Sequence, residues 1–156
     1  MTTAIMDKST PQLDELYKEI ILEHYRHPCG REPLERVDLE AEGLNPLCGD
    51  EVKLSLQIKN NIIEKVHLEG HGCSISTASG SILADILKGK TIEEAKNYLT
   101  YVKETMHNKP HSVHVEEGDL EVLEGVKNFP VRIKCALLPW TTFEEAMAGH
   151  KHIEIS

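Results

Sequence analysis

Val52, Leu54, Leu56 and Ile58 alternate with Lys53, Ser55, Gln57 and Lys59. That period of two is the pattern of a strand with one buried face. Asn60-Asn61 follows, and asparagine tolerates the left-handed backbone that a two-residue turn needs. The spacing therefore predicts a hairpin whose return strand carries Ile62, Val66 and Leu68 on one face. A lone hairpin is marginal in water, so its apolar face needs cover. Downstream the period changes to that of helices. Ile75, Ala78, Ile82 and Ile86 recur every three or four residues and stop at Lys88-Gly89, a helix ending. Thr91 and Glu94 form a capping box, and Ile92, Ala95, Leu99, Val102 and Met106 make one stripe behind it.

The flanks are read the same way. Thr10 as N-cap with Pro11 behind it predicts a first helix carrying Leu13, Leu16, Tyr17, Ile20 and His24, ended by His27-Pro28 and Gly30. Asp14, Glu15, Glu19 and Glu23 fall on its outer face. Residues 28 to about 46 contain three prolines and two glycines and are predicted to be a long irregular connection. Residues 107–118, rich in histidine, read as a surface loop, and Asp119 to Gly125 as a short helix carrying Leu120 and Leu123. The last helix starts near Pro130 and holds Cys135. Pro139 is expected to kink or break it, because proline lacks the N–H that would bond back to Cys135. Overlapping capping boxes over Thr141 to Glu145 suit a restart there. No internal repeat or domain boundary is visible. The expected fold is α+β: a small antiparallel sheet of about three strands packed against several helices. The expected organisation is a tail over residues 1–12, one domain over 13–148 and a C-terminal tail over 149–156.

The 156 residues suit one domain with a single core, and four cysteines at wide, unequal spacing do not form a small disulfide framework. No run of 18 apolar residues is present and the first residues lack a secretory pattern, so the expected compartment is the cytoplasm, with no membrane partner. The formal net charge of −9 argues against nucleic acid, which attracts clustered Lys and Arg.

The chemistry centres on Asn45-Pro46-Leu47-Cys48-Gly49-Asp50, which sets a thiol and a carboxylate two residues apart around a glycine hinge. Cys73 follows two nearby glycines at the start of a helix, where backbone N–H groups favour a thiolate. Cys135 follows Arg132 and Lys134, whose charge does the same. Any one of these cysteines, taken alone, is most simply a small buried hydrophobe. Three thiolates with one carboxylate make a four-ligand set suited to zinc. Spacing by itself is a weak signal: there is no C-x-x-C pair, and 24 and 61 residues intervene between the three.

Asn45 to Asp50, Gly70-His-Gly-Cys-Ser-Ile-Ser-Thr-Ala-Ser79 and Phe129-Pro-Val-Arg-Ile-Lys-Cys-Ala136 together resemble the U-type iron–sulfur assembly proteins, over roughly residues 13 to 148. They are similar to the SufU branch rather than the IscU branch, because Lys134 stands where the latter carries histidine and the span from Cys73 to Cys135 is longer. The resemblance implies a SufE/NifU-like α+β fold and zinc on Cys48, Asp50, Cys73 and Cys135. It also implies sulfur drawn from a SufS-type cysteine desulfurase, with a SufB-containing scaffold complex as a further partner. Cys48 is then expected to leave the metal when a partner group, such as a desulfurase histidine, replaces it, and to attack the persulfide, with Arg132 steadying Asp50 or the freed thiolate. A [2Fe–2S] scaffold on the same ligands and a purely structural zinc module are the alternatives. Three residues depart from the family pattern. Pro139 stands where relatives have a continuous helix, His71 where they carry Glu or Asn, and Cys29 matches no family cysteine. His71 reads as a surface histidine and Cys29 as a bystander. His107, His111, His114, His150 and His152 read as solvated, and no Ser/His/Asp signature or phosphate-binding loop is visible.

Overall fold

The structure, a computed structural model, describes residues 14–155. The expectations for Thr10, Pro11 and Leu13 lie outside these residues. The chain order is α1 (Glu15–Arg26), β1 (Leu39–Asn45), β2 (Asp50–Lys59), β3 (Ile62–His71), α2 (Ser74–Leu87), α3 (Ile92–Met106), a 3-10 turn (Gly118–Glu121), α4 (Val122–Val126), α5 (Pro130–Met147) and β4 (His152–Glu154). Asp14 is the N-cap of α1, its carboxylate accepting the Leu16 N–H at 2.8 Å. It therefore closes the helix end rather than continuing the outer face of Glu15, Glu19 and Glu23.

The predicted hairpin is β2–β3. Asn60 and Asn61 both have positive φ, 53° and 65°, as its two-residue turn requires. The register shifts between Gln57 and Ile58, so Ile63 rather than Ile62 turns inward: Ile63 is buried and Ile62 exposed. A bulge of this kind moves every side chain beyond it to the other face. Leu54 and Leu56 then share the buried face with Val66 and Leu68.

The sheet has four strands in the order β3-β2-β1-β4, not three. The missed strand, β1, pairs antiparallel with β2 from Leu39↔Leu56 to Asn45↔Asp50. Its inward positions are Ala41, Gly43 and Asn45, all buried. They carry no large apolar side chain, because α5 crosses them closely: a Cβ on Gly43 would collide with Thr142 Oγ1 and lie 3.0 Å from Leu138 Cδ1. Part of the connection expected to be irregular is therefore a strand without the usual alternation. Within the segment read as a C-terminal tail, β4 pairs with β1 in parallel, His152 opposite Glu42.

α3 behaves as its pattern predicts, whereas in α1 Leu16 is exposed and Ile21 is buried instead. Thr91 and Glu94 close the capping box of α3, and Ile92, Ala95, Leu99, Val102 and Met106 are all buried. α5 departs from expectation: it runs unbroken through Pro139. Thr141 and Thr142 are not caps; their hydroxyls donate back to the carbonyls of Leu137 and Leu138. The carbonyl that Pro139 leaves without its N–H is that of Cys135, and the proline ring lies against Gly80 of α2. Trp140 and Phe143, fully buried, anchor α5 in the core.

One polar bracket joins the helices. His24 of α1 bonds through Nδ1 to Ser81 Oγ of α2 and through Nε2 to Asp119 Oδ2, each at 2.7 Å, and Ser81 Oγ also accepts the Cys29 N–H. The three residue types are those of a hydrolytic triad. Ser81 is 1% exposed and its oxygen already accepts a backbone N–H, so no substrate reaches it and the network serves packing. Among the described residues no helix is long and apolar enough to cross a membrane.

Candidate metal centre

The site forms where the β1–β2 loop meets the start of α2 and the first turns of α5. Asn45 and Asp50 are the last paired residues of the β1–β2 hairpin, and the Gly49 N–H donates to the Asn45 carbonyl at 2.9 Å. Four residues, Pro46 to Gly49, thus make a tight loop. Gly49 has φ +72°, with open space where a Cβ would stand. The loop turns Asp50 inward, where it is completely buried, and leaves Cys48 half-buried.

Ligand atoms of Cys48, Asp50 and Cys135 all lie within 4.8 Å of one another, and this is the one such group of three among the described residues. The two sulfurs are 3.3 Å apart, with the Cys135 thiol donating to Cys48. Cys135 is fully buried on α5, and burial, reinforced by its neighbours Cys48, Asp50 and Cys73, pushes its thiol far above the usual cysteine range. Such a thiol keeps its proton until a cation replaces it.

Cys73 stands just outside this group of three. It is the N-cap of α2, its sulfur accepting the Ser76 N–H at 3.4 Å, and its own N–H donates to Asp50 Oδ1 at 2.9 Å. The bond to Asp50 requires Gly72, since a Cβ there would lie 2.8 Å from Asp50 Oδ1 and 3.0 Å from Ser76 Oγ. Arg132, exposed on the first turn of α5, has its guanidinium proton held above the usual arginine range, first by a hydrogen bond to Cys135 and then by the charge of Cys73. Its charge is felt by all three thiols, while the Asp50 carboxylate accepts from the Cys73 N–H and from Asn45.

The sequence reading missed Asn45. It is completely buried, with Nδ2 3.4 Å from Asp50 Oδ2 and 3.8 Å from Cys135 Sγ, and its Oδ1 has no partner among the described residues. Its signal is its place at the head of the Cys-Gly-Asp loop, directly before Pro46. The remaining candidates scatter. His71 is on the surface, 3.3 Å from Glu51. His111 stacks on Tyr101 at 4.0 Å, His107 bonds the Lys103 carbonyl and His150 bonds Glu145. Cys29 packs at the core margin beside Ser81.

The motif-bearing elements and this geometry agree with sequence comparison, in which the model of the NifU-like N terminal domain matches residues 16–136. The chain belongs to that family. Among its relatives, the zinc-dependent sulfurtransferase SufU of Bacillus subtilis (strain 168) is 38% identical over 136 residues, 87% of this chain and 92% of that one. The iron–sulfur cluster assembly scaffold protein IscU of Streptococcus pyogenes serotype M1 is 36% identical, covering 87% and 85%. Among solved structures, the SUF-system protein FiSufU of Fervidobacterium islandicum AW-1 superimposes with a TM-score of 0.73 at 35% identity, over 83% of this chain and 94% of that one. The N-terminal NifU-like protein of Brucella abortus, with a TM-score of 0.76 at 22% identity, shares the fold. The α+β class of this NifU-like domain is thereby established, with one more strand than its sequence pattern announces.

Proposed function

We propose that this chain is a zinc-dependent sulfur acceptor in iron–sulfur cluster assembly, taking persulfide sulfur from a SufS-type cysteine desulfurase onto Cys48. The observation that carries the reading is the asymmetry of the thiol pair: Cys135 and Asp50 are sealed in the core, while Cys48, 3.3 Å from Cys135, rides a glycine-hinged loop at the surface. The identity with the Bacillus relative named a zinc-dependent sulfurtransferase supports it.

The donor set fits zinc. Cys48, Asp50 and Cys135 offer two sulfurs and an oxygen around one point, with Cys73 beside them as fourth ligand, a combination that zinc binds tetrahedrally. Bound there, zinc would keep the thiols deprotonated at neutral pH without redox activity. The chain's own residues do the rest. Asp50, held by the Cys73 N–H and Asn45, is a hard oxygen ligand that leaves the site adjustable. Cys48 is the ligand that can swing out. Its thiolate attacks the outer sulfur of the desulfurase persulfide; a new S–S bond forms at Cys48, the old one breaks, and the desulfurase cysteine leaves as a thiolate that takes up a proton. No electrons are gained or lost overall. Arg132 steadies the sulfur charge during the exchange. Leu47 and Val131, about three-quarters exposed, border the thiols and offer apolar contact to the partner. The reading places the protein in the cytoplasm, with a SufB-containing scaffold complex as the next sulfur acceptor.

The relatives named IscU scaffold favour one second reading, in which the same residues hold a [2Fe–2S] cluster under construction. Metal analysis of protein purified without oxygen, with a desulfurase assay, decides between them. About one zinc per chain and faster desulfurase turnover, abolished by Cys48→Ala, are expected. Iron with acid-labile sulfide would select the scaffold. Retained desulfurase activation by Cys48→Ala would remove Cys48 as the acceptor.

A further inference from the structure

Asn45 is an expensive residue for its position. It is completely buried, yet its Oδ1 meets no donor among the described residues. An unsatisfied buried carbonyl is destabilising, so an apolar side chain of similar size would serve packing at least as well. What the amide provides is its nitrogen, directed at two acceptors on different elements: Asp50 Oδ2 of β2 and Cys135 Sγ of α5. The orientation follows from charge, since turning the amide over would set its oxygen against the Asp50 carboxylate, which only accepts.

The sulfurs differ in what they receive. Cys135 Sγ faces Asn45 Nδ2 and Arg132, and Cys73 Sγ accepts the Ser76 N–H. Cys48 Sγ accepts no N–H from any described residue; its neighbour is the Cys135 thiol. Donors around a ligand fix its orientation and spread its charge, and their loss typically lowers metal affinity 10–100-fold. We propose that Asn45 is a positioning residue that pins Asp50 and Cys135 through its two amide hydrogens and so confines ligand exchange to Cys48. This rests on the metal reading given above.

The test compares wild type with Asn45→Leu and Asn45→Ala, using cobalt(II) alone and zinc(II) alone as probes. Asn45→Leu should leave the metal-free protein folded, because loss of the orphaned oxygen offsets loss of the bond to Asp50. Both variants should bind zinc about 10–100-fold more weakly in chelator competition. In the cobalt-loaded proteins the thiolate-to-metal charge-transfer band should move to lower energy, because a sulfur that loses an N–H donor gives up charge more easily. Unchanged affinity and an unchanged band in either folded variant would overturn the role; Asn45→Ala supplies that readout if the leucine does not fit. A fall in melting temperature with unaltered metal binding would make Asn45 structural only. Wild-type protein that binds neither metal would instead overturn the metal reading itself, and this inference with it.

Discussion

The Cys135 thiol donates to the Cys48 sulfur across 3.3 Å, although the two residues lie 87 positions apart in the chain. One partner is sealed in the core and the other sits on a surface loop. The burial of Cys135 has consequences for stability.

Burial raises the Cys135 thiol above its unfolded value, close to 9.0. A group whose folded value is raised stabilises the fold fully below its unfolded value and withdraws that stability as pH climbs toward the folded one. Metal-free, reduced protein should consequently melt at falling temperatures as pH rises above about 9. Zinc replaces the proton, so zinc-loaded protein should lose much less over the same range. Melting curves from pH 7 to 10.5, with and without zinc, check this; parallel curves would contradict it.

Gly72→Ala would place a carbon 2.8 Å from Asp50 Oδ1 and 3.0 Å from Ser76 Oγ. Asp50 must then move and its bond from the Cys73 N–H must lengthen. Zinc affinity should fall about 10–100-fold, while stability changes by only about 1–2 kcal/mol. Chelator competition beside urea denaturation separates the two effects.

Gly43→Ala should be costly for a different reason. The new methyl collides with Thr142 Oγ1, and β1 cannot retreat from α5 without leaving the sheet. A loss of about 1–3 kcal/mol is expected. Adding Thr142→Ala removes the colliding hydroxyl, so the double variant should recover part of that loss rather than add to it. Strictly additive denaturation energies would show that the contact is not the cause.

Thr91→Ala should cost about 1 kcal/mol by removing the α3 cap, leaving metal binding intact. The cap's other half depends on pH. Hydrogen bonds from Thr91, led by its backbone N–H, hold the Glu94 carboxyl below its usual range, so its contribution is present above the unfolded value of 4.5 and fades as pH falls. The gap between wild type and Glu94→Ala should accordingly narrow on acidification from pH 7 to 3. A gap that widens would remove the capping explanation.

What the sequence by itself determined follows from local physics. Alternating residues 52–58, the Asn60-Asn61 turn, the Thr91–Glu94 box and the α2 and α3 stripes each carry their signal within a few residues, and each appears in the fold. The Cys48-Gly49-Asp50 loop was likewise legible, because its chemistry and its hinge are adjacent. Tertiary structure decided the rest. β1 has small or polar inward residues only because α5 lies close above it, a fact no local window contains. Pro139 leaves α5 continuous, its ring set against the small Gly80 of α2, a neighbour from another element. The bulge after Gln57 exchanged Ile62 for Ile63. Asn45 gained its two acceptors only when strand β2 and helix α5 were brought to the same point. A thiol's burial, like an amide's partners, belongs to the packed chain and not to any segment of it.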